Sequence, residues 1–273
     1  MMGMVRAGLV LVVLIPATLL AAGVQMVALA TGFPDRGLMP MLWHRMALRL
    51  VGIRLHLSGE PATDRPLLIV ANHVSWTDIP VLGALMSLGF VARADMAGWP
   101  IFGFLAKLQR SIFVERDRIR TSAAQTRELG ERLAEGDVMV LFAEGTTSDG
   151  NTLSPFKSTL IGAAQAALAQ VQEKKGGPAS VRVQPVTIAY TRLHGMPMGR
   201  YHRRHASWIG DADLIPHVGQ LIREGGMDVE VHFGEPVEVT RESDRKKVTR
   251  QIEAEIRERL TQALRNPRPS SRG

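Results

Sequence analysis

A chain of 273 residues with 45% hydrophobic content is long enough to bury one large core or two modest ones. The absence of cysteine excludes disulfides, thiolate metal sites and thiol nucleophiles. Lysine and arginine outnumber acidic residues 33 to 26, and the resulting +7 favours anionic partners: nucleic acid, acidic lipid surfaces or phosphorylated substrates.

From Ala7 to Pro34 no residue is charged, and Gly8 to Ala30 is mainly apolar. As a helix that stretch is roughly 35 Å long against a hydrocarbon core of roughly 30 Å, so it is long enough to span a bilayer. Other readings stay open at this point. Ala28-Leu29-Ala30 resembles a signal-peptidase site, Pro16 is placed to break the segment into two interfacial pieces, and a buried helix has the same composition. Leu38 to Val51 predicts a second helix, with Trp43 suited to an interface and Arg45 and Arg49 one turn apart. With Arg36 and Arg54 these arginines form either a contact to lipid phosphates or a solvated basic stripe.

Beyond residue 52 short apolar runs alternate with longer amphipathic ones. Strands are expected at Ile53 to Leu57, Leu67 to Ala71, Phe90 to Arg93, Ser111 to Val114, Val138 to Phe142, Val181 to Ala189 and Val229 to Phe233. Helices are expected at Ile79 to Ser87, Pro100 to Leu108, Arg118 to Ala134, Pro155 to Gln170, Asp213 to Ile222 and Arg241 to Leu264. The alternation predicts an α/β fold with a largely parallel central sheet of about seven strands flanked by helices. Lys174 to Pro178 reads as a loop. The chain then divides into a hydrophobic and basic helical anchor over residues 1–50, a main domain over 51–264 and a basic tail over 265–273.

Polar clusters fall at the ends of the expected strands, where open α/β folds place their ligands. Asn72-His73-Val74-Ser75-Trp76-Thr77-Asp78 follows the run Leu67 to Ala71, and a histidine held by an aspartate is a general base for an alcohol proton. Ser111 to Asp117 delivers Arg116, which reads as a surface ion-pair residue or an anion contact. Val140 to Gly150 ends a strand in Glu144, followed by Gly145 and Thr146 in a turn with N–H groups for an anion or oxyanion. Pro185 interrupts a strand and predicts an irregularity. The basic segment Arg200 to His205 has no groove-reading or base-stacking framework, so a membrane contact or a solvated loop is expected in place of nucleic acid. The histidines are scattered and no phosphate loop is present, so neither a metal site nor nucleotide hydrolysis is expected.

In order and identity, these clusters resemble the glycerolipid acyltransferases of the 1-acylglycerol-3-phosphate acyltransferase type, over roughly residues 50 to 235. The Asn-His-x-Ser-x-x-Asp block is matched by Asn72, His73, Ser75 and Asp78. In the Gly-x-x-Phe-Ile-x-Arg block Phe113, Val114 and Arg116 fit, but Arg110 stands where glycine is usual. The Phe-Pro-Glu-Gly-Thr-Arg-Ser block keeps Phe142, Glu144, Gly145, Thr146 and Ser148, with Ala143 in place of proline and Thr147 in place of arginine. The fourth block, a proline after a hydrophobic run, is Pro185.

The resemblance implies transfer of an acyl group from an acyl-CoA or acyl-ACP thioester, bound as a substrate with no resident cofactor, to the free hydroxyl of a lysolipid. It implies His73 as base, Asp78 as its orienting carboxylate and Ser75 as a turn hydroxyl. Arg116, Glu144, Gly145 and Thr146 are the implied substrate-binding residues, Glu144 as an organiser of polar groups. Thr147 removes a phosphate clamp, so either Arg110, Arg93 or Lys157 restores the charge or the acceptor lacks a glycerol phosphate. The run Glu144 to Asn151 is similar to that of bacterial enzymes that acylate lyso-ornithine lipid, whose head is a zwitterionic amino acid. The expected acceptor is therefore 1-acyl-sn-glycerol-3-phosphate first, with lyso-ornithine lipid as the alternative and an idle lipid-binding protein as the remote one. The resemblance also implies that the apolar amino terminus is retained in the cytoplasmic membrane, with the lipid bilayer as partner and the site on the cytoplasmic side.

Overall fold

The computed structural model describes residues 2–114, 123–175, 180–209 and 212–267. In chain order its elements are α1 (Met2–Thr31), α2 (Leu38–Val51), β1 (Ile53–Ser58), β2 (Leu67–Ala71), α3 (Asp78–Gly83) and β3 (Gly89–Arg93). Then come α4 (Phe102–Leu108), β4 (Ile112–Val114), α5 (Ala123–Ala134), β5 (Val138–Phe142), α6 (Ser158–Lys175) and β6 (Ser180–Leu193). The chain ends with β7 (Met196–Pro197), α7 (Leu214–Glu224), β8 (Met227–Phe233), β9 (Val237–Thr240) and α8 (Arg245–Arg265).

The sheet runs β1-β8-β6-β2-β5-β3-β4, with β7 and β9 added alongside β6. Strands β6, β2, β5, β3 and β4 are mutually parallel, while β8 meets β6 antiparallel and carries β1 with it. Every residue of β2 and β5 is buried. Along β2, Leu67, Ile69 and Ala71 join the core that also holds Leu48 of α2, Val81 of α3 and Leu221 of α7, and Leu68 and Val70 join the core formed with α5, α6 and α8. Two covered faces require continuous apolar runs, which is why these strands read so clearly in the sequence.

Pro185 does not break its strand. It sits where the neighbour of β6 changes from β9, paired at Ser180 to Val183, to β8, paired from Val186 onward. A missing N–H is tolerated at such a handover. Gln184 bridges the gap there, its Nε2 donating to Glu60 O and Gly234 O at 2.9 Å each and its Oε1 accepting from Ala62 N at 2.8 Å. Two further differences from expectation are helical: Lys174 and Lys175 belong to α6, and α3 stops at Gly83.

Helix α1 continues through Pro16, because one lost hydrogen bond is outweighed by the rest of a long ladder. Leu9, Val12, Leu19 and Leu20 are 66–72% exposed, so this is not the core helix of a soluble fold. By length and composition it is long enough to cross a membrane. It is tied to the main domain at both ends. Near its start the Arg6 guanidinium donates to Val51 O at 2.7 Å and to Ile222 O, carbonyls at the ends of α2 and α7 where unpaired acceptors and the helix dipole favour a cation. Gly225, at φ +58, closes α7 against this group, and a Cβ there would lie 2.3 Å from Arg6 Nη2. Further along, Gln25 Nε2 donates to Arg36 O and Leu108 O at 2.8 and 2.9 Å, and Trp43 Nε1 donates to Thr18 Oγ1 at 2.9 Å.

The basic stripe is partly consumed by the fold. Arg45 Nε donates to Ala84 O at 2.7 Å and Arg54 grips Asp228 with two bonds of 2.8 and 2.9 Å, while Arg36 and Arg49 stay on the surface.

Arg110 has φ +59, a left-handed conformation that glycine adopts without steric cost, in agreement with the glycine expected at this place from the resemblance. Its side chain bonds Asp137 Oδ1 at 3.0 Å, in compensation. Replacing Arg110 by Ala or by Gly removes that pair equally, but only glycine relieves the backbone. The Gly variant should therefore be more stable than the Ala variant by about 1 kcal/mol in thermal unfolding; equal stabilities would show that the φ angle is not a constraint.

Candidate active site

The site is built where β2 and β5 end side by side, Ala71 opposite Phe142. Asn72 prolongs the sheet with its side chain: Nδ2 donates to Ile188 O at 2.9 Å and Oδ1 accepts from Ile188 N at 2.8 Å. That two-point bond to β6 fixes the backbone from which His73 projects. The imidazole lies flat on Phe142, with ring centroids 3.9 Å apart and planes 11° apart.

Asp78, fully buried at the start of α3, holds the ring from the other side. Its Oδ2 accepts from His73 Nδ1 at 2.7 Å, from Val74 N at 2.7 Å and from Ser75 N at 3.0 Å. Its Oδ1 accepts from Tyr190 Oη at 2.7 Å. An ionised carboxylate has only acceptors, so His73 carries its proton on Nδ1 and turns an unprotonated Nε2 outward. The His73 side chain is 13% exposed, enough for a reactant to reach that nitrogen. Tyr190 is itself fixed by Thr77 Oγ1 at 2.6 Å. Burial, then the nearby Asp78 charge, raise the Tyr190 pKa, so its hydroxyl stays a donor.

Glu144 follows β5 and spends both oxygens on backbone. Oε1 accepts from His73 N at 2.7 Å and Oε2 from Ser154 N at 2.8 Å. It thus ties His73 to the loop beyond the turn, and in this geometry both oxygens face backbone amides, in place of the arginines and acceptor groups it was expected to organise. The turn is locked as well: Gly145 N donates to Phe142 O at 3.1 Å, Lys157 N to Ala143 O at 2.9 Å, and Ser148 N to His73 O at 2.8 Å. The Gly145 amide is therefore engaged, contrary to its expected use as an oxyanion donor. Gly145 has φ +75, and a Cβ would lie 3.0 Å from Lys157 Nζ. Thr146 is exposed beside it. Ala143 sits where proline is usual, and its N–H extends the sheet to Ala71 O at 3.3 Å.

Of the cations expected to replace the arginine lost at Thr147, Arg93 is paired with Asp95 and Arg110 with Asp137, leaving Lys157 as the one beside the turn. Ser75 is fully buried and its hydroxyl makes no hydrogen bond, so it does not act as the hydrogen-bonding turn hydroxyl expected; its contribution to the turn is its backbone N–H on Asp78. Arg116 lies outside the described residues. Tyr190, Thr77 and the bridging role of Asn72 were not foreseen. A tyrosine at the end of an apolar strand, one of two in the chain, was the available signal for the first.

Burial pushes the Glu144 carboxyl up to about 7, although the His73 and Ser154 amides favour its charged form; the Asp78 charge adds to the rise. Because this lies above the ordinary 4.5, the contribution of Glu144 to stability is complete below about 4.5 and is lost as pH rises through about 7. Infrared titration should reveal a protonated carboxyl band that disappears near pH 7 and is missing from Glu144→Gln. A spectrum in which the substitution changes no titrating band would contradict this assignment.

Residues 53–189 match the family model described as Acyltransferase. Two relatives, each named lyso-ornithine lipid O-acyltransferase, are similar over 97% of this chain. That of Rhizobium meliloti (strain 1021) is 46% identical over 89% of its length, and that of Brucella abortus (strain 2308) is 47% identical over 97% of its length. The crystal structure of the 1-acyl-sn-glycerophosphate (LPA) acyltransferase PlsC from Thermotoga maritima shares the fold, with a TM-score of 0.64 at 19% identity over 99% of this chain and 100% of that one. Matched in sequence through the half that carries His73 and Asp78 and in fold along nearly its whole length, this chain belongs to the acyltransferase family and is an enzyme that transfers acyl groups.

Proposed function

We propose that the enzyme moves a fatty acyl group from an acyl-CoA or acyl-ACP thioester to the hydroxyl of lyso-ornithine lipid. The chemistry is carried by the 2.7 Å His73 to Asp78 bond, which leaves Nε2 as the base. As the hydroxyl oxygen attacks the thioester carbonyl, Nε2 takes its proton and Asp78 stabilises the imidazolium. Collapse of the tetrahedral intermediate breaks the C–S bond, and the imidazolium returns the proton to the departing thiolate. No enzyme-bound acyl group is required, and the thioester is consumed as a substrate.

The choice of acceptor reverses the order expected from sequence. Both relatives that match almost end to end are named for lyso-ornithine lipid. The neutral Thr147 agrees, since a doubly charged phosphate would meet no arginine there. Lysophosphatidate remains the second reading because Lys157 stands over the turn, and Arg116 would be its other cation. Support for membrane residence is the exposed apolar surface of α1. In this reading α1 anchors the enzyme in the cytoplasmic membrane and the site faces the cytoplasmic thioesters.

The test is a competition in which purified full-length enzyme receives a long-chain thioester and equal amounts of lyso-ornithine lipid and lysophosphatidate. Ornithine lipid should dominate the product, and His73→Ala should lower the rate by about 10²- to 10⁴-fold. Phosphatidate as main product would overturn the acceptor; thiol release by His73→Ala equal to wild type would overturn the base.

A further inference from the structure

The segment Arg200 to His205, expected to be a solvated or membrane-facing loop, instead folds as a 3-10 turn (His202–His205) against the active-site loops. Trp208 N donates to Val74 O at 3.0 Å, next to the base, and Asn151 Nδ2 donates to Arg200 O at 3.2 Å. Arg203 goes inward and is 7% exposed. Its Nη1 donates to Asn151 Oδ1 at 2.5 Å, and its Nε is buried with no hydrogen-bond partner. Among the described residues it makes no ion pair. A buried guanidinium without a counter-ion is costly, and such groups in proteins are paired as a rule. Burial, then the charge of Arg200, lower its pKa, though an arginine stays charged.

The geometry of the remaining donors identifies what is missing. With Nη1 taken by Asn151, the edge left over is Nε with Nη2, the side-on fork that matches the two oxygens of one carboxylate. Two residues before Asn151 stands Asp149. Its Oδ1 accepts from Asn151 N at 2.9 Å and Thr152 N at 3.2 Å, and its Oδ2 accepts from Asn151 Nδ2 at 3.2 Å, so it caps its own turn; its charge favours the Arg203 guanidinium through space, with no direct bond between the two among the described residues. Burial opposes its charge, but the Asn151 and Thr152 bonds outweigh that and hold its pKa below the usual value. A fixed positive and a fixed negative group thus flank Asn151, three residues on from Ser148, which is bonded to the His73 carbonyl.

We propose that Arg203 and Asp149 form the head-group subsite for a zwitterionic amino-acid acceptor, Arg203 taking the α-carboxylate through its Nε/Nη2 edge and Asp149 the side-chain ammonium. This rests on the acceptor class proposed above and assigns its recognition to residues outside the family blocks. A phosphate dianion fits less well, because it would be repelled by Asp149.

Three acceptors separate the alternatives: lyso-ornithine lipid, the same 3-hydroxyacyl amide built on 1,4-diaminobutane so that only the carboxylate is absent, and lysophosphatidate. Wild type should prefer lyso-ornithine lipid over the diamine amide by about 10- to 100-fold in kcat/KM, the worth of a charge-assisted hydrogen-bond pair. Arg203→Gln should collapse that ratio to about one by raising KM for lyso-ornithine lipid, and Arg203→Lys, which keeps charge and packing but not the fork, should recover only part of it. Asp149→Asn should weaken both amine-bearing acceptors and leave them closer to lysophosphatidate. Equal use of the two amides by wild type, or a ratio untouched in the folded Arg203→Lys and Arg203→Gln variants, overturns the subsite while leaving lyso-ornithine lipid as acceptor. Preference for lysophosphatidate that falls with Arg203→Gln assigns the anion to phosphate and overturns the subsite together with the proposed acceptor.

Discussion

Four donors converge on the buried carboxylate of Asp78: His73 Nδ1, the amides of Val74 and Ser75, and the Tyr190 hydroxyl. A charge taken out of water needs this many partners, and here each partner is also a positioning device. The two amides shape the turn after β2, Tyr190 ties the turn to β6, and the imidazole is left with one tautomer. The rest of the sheet edge then follows. Phe142 supports the face of the ring, Glu144 fixes the backbone N–H of His73, and Ser148 caps its carbonyl. Few of the described groups around the base are free to relax, which is what a preorganised proton acceptor requires.

The parts of this arrangement that are local in sequence were legible there. His73 and Asp78 lie five residues apart in one turn, and β2 and β5 are unbroken apolar runs because both of their faces are covered. What depends on distant pairing was not. Tyr190 reaches Asp78 across 112 residues of chain, and the expected strand stopped one residue short of it. Arg203 looked like part of a solvated basic run, since its charge is visible in the sequence and its burial is not. Pro185 suggested an interruption because the handover from β9 to β8 that accommodates it involves strands downstream. Arg110 shows the reverse case, a departure from the usual glycine whose backbone conformation still keeps the glycine's φ.

Further contacts link the turn that holds His73 to the long apolar helix α1. Helix α1 is held through Arg6, Gln25 and Thr18, and α2 is held to α3, the helix that begins with Asp78, through Arg45 and the close packing of His44 on Gly83. Under the proposed function, this linkage would hold an apolar anchor and the sheet edge that carries His73 in one frame. In the proposed mechanism His73 defines which proton moves. The charged groups on the loops around it, Lys157 on one side and Asp149 with Arg203 on the other, bear on whose hydroxyl loses it.

The most direct test of the central claim is the tautomer of His73, read by nitrogen NMR of enzyme labelled at the imidazole. With Asp78 as acceptor, the neutral ring must carry its proton on Nδ1, and Asp78→Asn must shift the population toward the Nε2–H form. A neutral wild-type ring protonated on Nε2, or one whose tautomer is indifferent to Asp78→Asn, would contradict the account.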